Sequence, residues 1–230
     1  MTEIFRTRLA SALFVASGSL VALVFVLSST VGGDPIGVLV HFGGMTITSG
    51  HSRSPALLLS IYLNNLSVLL LASLGPIAFT FLVAWSSRLI GGSERNVCGE
   101  DEGRLHHQTL QRLSATFLLY GSPALVMIVN GGALGLFLTA TGLYGGVEGI
   151  QTFVIGVAPH GAVEIPAIVL GAALGFSVAD DLMDPLASGD PKEAQERAKN
   201  LILDGKTQGS VLILAALLVL AAIIEVYPVF

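Results

Sequence analysis

His160 and Glu164 stand four residues apart in Pro159-His160-Gly161-Ala162-Val163-Glu164-Ile165-Pro166-Ala167, at the mouth of an apolar run that continues to Ala179. Residues four apart on a helix share a face, so an imidazole and a carboxylate would point the same way. Such a pair can supply two metal ligands, a general base with its orienting group, or a titratable site for a proton or a cation. It can also be a hydrogen-bonded clamp between helices. The apolar setting sharpens the choice, because an ionisable group inside a bilayer costs at least about 2.5 kcal/mol and calls for a partner.

A catalytic set is incomplete in the sequence. Neither His-Glu-x-x-His nor Gly-x-Ser-x-Gly occurs, and no third His or Cys ligand accompanies the pair. Ser54, Ser60 and Ser122 lie in or near apolar runs, where serine usually bonds back to its own helical turn. The sequence therefore predicts no catalytic residue, no metal and no cofactor.

The elements that position the pair are membrane helices. Hydrophobic residues make up 53% of the chain and charged residues 12%, with a mean hydropathy of +0.79. A soluble domain carries about 25% charged residues. The expected fold is all-α: one integral membrane domain over residues 1–230, a polytopic transmembrane helical bundle. Spans are expected at about 9–31, 63–90 with a lead-in over 55–62, 113–141, 151–179 and 210–228. Cytoplasmic loops are expected over 91–112 and 180–209.

Whether 55–90 crosses once or twice decides between five spans and six. The stretch is long for one crossing of about 20 residues and short for two, and it contains Asn64-Asn65 and a Gly75-Pro76 break. Positive charge gathers in cytoplasmic loops. Five spans with the N terminus cytoplasmic and the C terminus extracytoplasmic put every Lys and Arg except Arg53 inside, which favours five in a cell membrane. The same topology brings Asn64, Asn65, Asn130, His160 and Glu164 into the outer half of the bilayer, with the asparagines as hydrogen-bond donors to Glu164. Pro159-His160-Gly161 is expected to form a turn or a helix start.

Two polar stretches invite metal or partner readings. The segment 91–111 holds Cys98, Glu100, Asp101, Glu102, His106 and His107; its mixed charges suit a solvated loop better than a metal site, and Cys98 is expected to be a free thiol. Residues 32–54, with His41, His51 and Arg53, form an outer segment. Asp190-Pro191-Lys192-Glu193 reads as a helix start, with Gly205 as its end. That cytoplasmic helix would carry the pairs Lys192/Glu196 and Glu193/Arg197, and an apolar stripe of Ala194, Ala198, Leu201 and Ile202, lying on the membrane or docking a partner. Gly131 with Gly135, and Gly171 with Gly175, are small residues four apart that predict close packing of the third and fourth spans.

The order Asn65-Leu66, then Asn130-Gly131-Gly132-Ala133-Leu134-Gly135, then Pro159 to Ala167 with its Gly-rich continuation, resembles the stage II sporulation protein M family over roughly Ser60 to Phe176. The resemblance implies a polytopic membrane protein without established enzymatic activity. It also implies the role of the sporulation member, a membrane anchor for a complex with two cell-wall-degrading partners. The leading expectation is a non-catalytic scaffold or assembly component. Its partners would be the lipid bilayer and other membrane or extracytoplasmic proteins, with homo-oligomerisation as a further mode and no nucleic acid. The alternatives are a transporter or channel-like protein using His160 and Glu164, and an intramembrane hydrolase.

Overall fold

The computed structural model describes residues 2–30, 55–90 and 101–227, with no side-chain description at 25, 27–30, 87–90 and 101–111. The segment with His41, His51 and Arg53, the residues Cys98 and Glu100, and the side chains of Asp101, Glu102, His106 and His107 lie outside the described residues. The described elements are all helical: α1 (Glu3–Thr30), α2 (Pro55–Ile90), α3 (Asp101–Ala187), α4 (Pro191–Leu203) and α5 (Gly205–Val226).

Four helices are long and apolar enough to cross a membrane, and the third of these apolar stretches runs from Arg112 to Ala187. A straight helix of the 87 residues of α3 would be about 130 Å long, some four bilayer cores. It is not straight. At Gly146 the backbone takes φ 58° and ψ -147°, a conformation essentially restricted to glycine, and the chain doubles back. The two arms lie side by side, with a Cβ on Gly149 falling 2.3 Å from the Thr141 carbonyl oxygen. Further along the pair, the rings of Tyr120 and Phe176 stack at 6.1 Å. Counting each arm, the described residues form five apolar rods.

The rods alternate in direction. Arg6 of α1 meets Asp180 of the second α3 arm, and Ser210 at the start of α5 lines the same cavity as Arg6. Arg6, Arg112, Arg197 and Lys206 thus mark one end of the bundle, and the Gly146 turn marks the other. Helix α2 runs through Gly75-Pro76 without a break, so the expected interruption there is absent. The His160 region is likewise uninterrupted helix rather than a turn or helix start. An internal proline removes one backbone donor, and a helix persists if the freed carbonyl finds another neighbour.

Those neighbours are visible. Pro76 frees the Ala72 carbonyl, against which Gly175 packs so closely that a Cβ there would lie 1.9 Å from the oxygen. Pro185 frees the Asp181 carbonyl, which accepts a 3.1 Å hydrogen bond from Arg197. Arg197 is therefore not the partner of Glu193, and Lys192 and Glu196 form no ion pair either among the described residues. The glycines also depart from expectation. Gly131 and Gly135 receive α1, with a Cβ on either falling 2.1 Å from the Phe14 or Gly18 carbonyl oxygen, whereas Gly171 and Gly175 receive Leu69 and Ala72 of α2. The first pair seats α1 and the second seats α2, and Gly175 also meets the first α3 arm, where its Cβ would lie 3.3 Å from the Pro123 Cβ.

Helix α4 begins as its sequence predicts. Asp190 Oδ1 accepts from the backbone N–H groups of Lys192 and Glu193. Its apolar stripe is covered by the chain itself: Ala198 and Leu201 join Ile77, Leu119 and Leu182 in one core cluster. Ile202 remains exposed. The end of the helix is set by Asp204, not Gly205, because Asp204 caps α5 through the Thr207 N–H at 3.0 Å. That bond holds its carboxyl below the usual aspartate range. The stabilisation it gives α5 is present above the ordinary aspartate pKa and is lost as pH falls through the lowered one.

Gly175→Ala, whose new methyl group meets backbone, is expected to destabilise the bundle by about 1–3 kcal/mol. Gly121→Ala, whose Cβ meets nothing within 4 Å, is expected to be neutral or stabilising by up to about 1 kcal/mol. Thermal unfolding of the two variants side by side in detergent checks the contrast.

Candidate functional site

Two polar clusters tie the rods together, one toward each end. At the basic end, the Arg6 guanidinium donates to Asp180 Oδ2 from Nε (3.1 Å) and Nη2 (2.8 Å), and from Nη1 to Ser177 Oγ (2.8 Å). The Tyr120 hydroxyl donates to the other carboxylate oxygen, Oδ1. One aspartate thus holds α1 and both arms of α3. Nε and Nη2 share the single oxygen Oδ2, and hydrogen bonds between charged partners of this kind are stronger than neutral ones. Beside it opens a cavity of about 320 Å³ lined by Glu3, Thr7 and Ser210 together with Leu170 and Ile213.

None of these residues stood out in the sequence. Arg6 serves there as a topology signal and Asp180 as the first residue of a loop; only their meeting, 174 residues apart in the chain, gives them a role.

Toward the other end lies the His160 cluster, and it is assembled differently from the expected one. Asn65 of α2 is 7% exposed and stands beside the Glu164 carboxyl; the Asn64 amide donates to Asn65 Oδ1 at 3.3 Å. Asn130 does not join them through its amide nitrogen, which donates to the Val126 carbonyl of its own helix at 2.8 Å. An asparagine can satisfy its donor on the preceding turn, and then it does not need a neighbouring span.

Glu225 is the member that sequence reading missed. It lies near the end of α5, and its carboxylate, the Glu164 carboxylate and the His160 imidazole each place a ligand atom within 4.8 Å of the other two. Its only sequence signal was an acid in the last turn of a helix with a run of apolar residues. Helix α5 packs against α2 and the second α3 arm through Leu214 and Leu218, which contact Leu69 and Ala167, and that packing brings Glu225 into place.

Ser122 does not back-bond as expected. Its hydroxyl is buried without a hydrogen-bond partner, pressed against Gly75, where a Cβ would come within 2.3 Å.

Asn65→Ala is expected to cost about 0.6–1.7 kcal/mol, the span measured for interhelical hydrogen bonds in membranes. Asn130→Ala, which removes only a bond to its own turn, is expected to change stability by less than about 0.5 kcal/mol. Thermal unfolding of the purified variants distinguishes the two asparagines.

The family model for Stage II sporulation protein M matches residues 111–228. The match covers both arms of α3, α4 and α5, and so holds His160, Glu164, Glu225 and Asp180; it extends past Phe176 and leaves Asn65 outside. No curated protein and no solved structure gives a significant match. With half of the chain matched, and with that half carrying the Pro-His-Gly-x-x-Glu element and the helices around it, the protein belongs to the stage II sporulation protein M family.

Proposed function

We propose that the protein is a non-catalytic scaffold of the cell membrane, which holds partner membrane or extracytoplasmic proteins against a rigid helical frame. The observation that carries this reading is the use made of the polar side chains between the helices. Arg6 and Tyr120 are spent on Asp180 and Ser177 on Arg6, Asn65 faces Glu164, and Arg197 is spent on a freed carbonyl. Each joins one helix to another. Membership of the stage II sporulation protein M family supports the same role.

The frame leaves two kinds of surface for partners. Large apolar side chains such as Phe117, Leu212 and Ile213 are exposed along the rods, and they face lipid or the membrane helices of another protein. Helix α4 presents Lys192, Glu193, Glu196 and Lys199 outward at the basic end. The excess of Lys and Arg supports a cytoplasmic position for that end, which puts the Gly146 turn and Glu225 on the extracytoplasmic side.

Gentle solubilisation of the tagged protein should co-purify a defined partner, and recovery of a solitary chain under several mild detergents would count against the scaffold. Orientation has its own test. An impermeant thiol reagent applied to intact cells is expected to label Glu148→Cys and to spare Lys199→Cys, each made in a Cys98→Ser background. The reverse pattern would overturn the topology.

A further inference from the structure

We infer that His160, Glu164 and Glu225 form a binding site for a divalent first-row transition-metal ion. The inference goes beyond the scaffold reading and stands independently of it. Three ligand-bearing side chains converge from two helices: His160 and Glu164 from one face of the second α3 arm, and Glu225 from α5. Their donor atoms lie within 4.8 Å of one another. Donors on a tetrahedral ion with bonds of about 2.0–2.1 Å stand about 3.3–3.4 Å apart. The gap to that spacing is at most about 1.5 Å.

Charge gives a second reason. Glu164 is partly buried and has the Glu225 carboxylate and the His160 imidazole close to its own carboxylate. Two carboxylates at this separation repel, and the low dielectric around them amplifies the repulsion. A dication between them cancels the pair's charge, while the neutral imidazole supplies the third donor.

Asn65 adds an observation of another kind. This nearly buried amide stands beside the Glu164 carboxyl, the place from which an outer partner orients a metal-binding carboxylate. The donor set also selects among ions. An imidazole suits zinc and the transition metals, two carboxylates suit harder ions as well, and the mixture favours Zn²⁺ or Mn²⁺ over Mg²⁺ or Ca²⁺, which take oxygen ligands. Bound there, the ion would fasten the end of α5 to α3.

The test uses the full chain in detergent, stripped with chelator, equilibrated with Zn²⁺ or Mn²⁺ alone and desalted before elemental analysis. The expected result is about one ion per chain, together with a rise in the thermal unfolding midpoint, since an ion that binds only the folded state stabilises it. Glu225→Gln, a near-isosteric change at an exposed position, is expected to abolish both effects while the protein stays monodisperse. Glu148→Gln, an exposed acid beside the Gly146 turn, is expected to preserve both. Absence of stoichiometric metal in the wild-type protein, or its retention in Glu225→Gln, would overturn the site. If Glu164→Gln or His160→Ala fails to purify as a single species, the Glu225→Gln result decides alone. None of these readouts depends on a partner protein, so they fail or succeed separately from the scaffold.

Discussion

Close approach of backbone to backbone is the constraint on which this bundle depends. Lipid is as apolar as a leucine side chain, so helices gain little from hydrophobicity by meeting one another and must gain it from dense packing and polar contacts. Glycine makes the density available. Gly131 and Gly135 lie on the carbonyls of Phe14 and Gly18, and Gly175 lies on that of Ala72. At these distances no side chain fits between the axes, and contact between Cα–H and C=O becomes available. Buried Met127, Phe176 and Ala72 pack in the same core cluster, which fills the space around the crossings.

Proline enters the same economy from the opposite side. A proline inside a helix exposes a carbonyl that hydrocarbon cannot solvate, which is costly unless something else reaches it. The two freed carbonyls with visible neighbours, Ala72 and Asp181, are met by a glycine crossing and by an arginine. Pro76 and Pro185 are in this way places where one helix is obliged to hold another. The arrangement links α2 to the second arm of α3, and that arm to α4.

The polar clusters then fix what packing alone leaves free. Aliphatic helices can slide and rotate at small cost, but a fork from Arg6 to Asp180 has one geometry, and Tyr120 shares the same carboxylate. The cluster at the other end ties α2 to α3 through Asn65 and Glu164 and brings α5 up to them through Glu225. The two clusters are therefore fasteners near the two ends of a greased bundle. The one that includes an imidazole and two acids has the chemistry to hold an ion as well.

The sequence by itself determined the helical class, the apolar rods, the start of α4 at Asp190 and the pairing of His160 with Glu164 on one face, because each follows from composition or from spacing within a few residues. It also carried the family, through the residues around Pro159. Tertiary structure decided the rest: that Gly131 and Gly175 serve different neighbours, that Asn130 turns back to its own helix, that α2 continues through Pro76, and that Glu225 and Asp180 belong to sites. Local periodicity states which face a side chain occupies, but the helix opposite that face is selected by the packing of the whole bundle. Partners 61 or 174 residues away in the chain leave no mark on the spacing around either one.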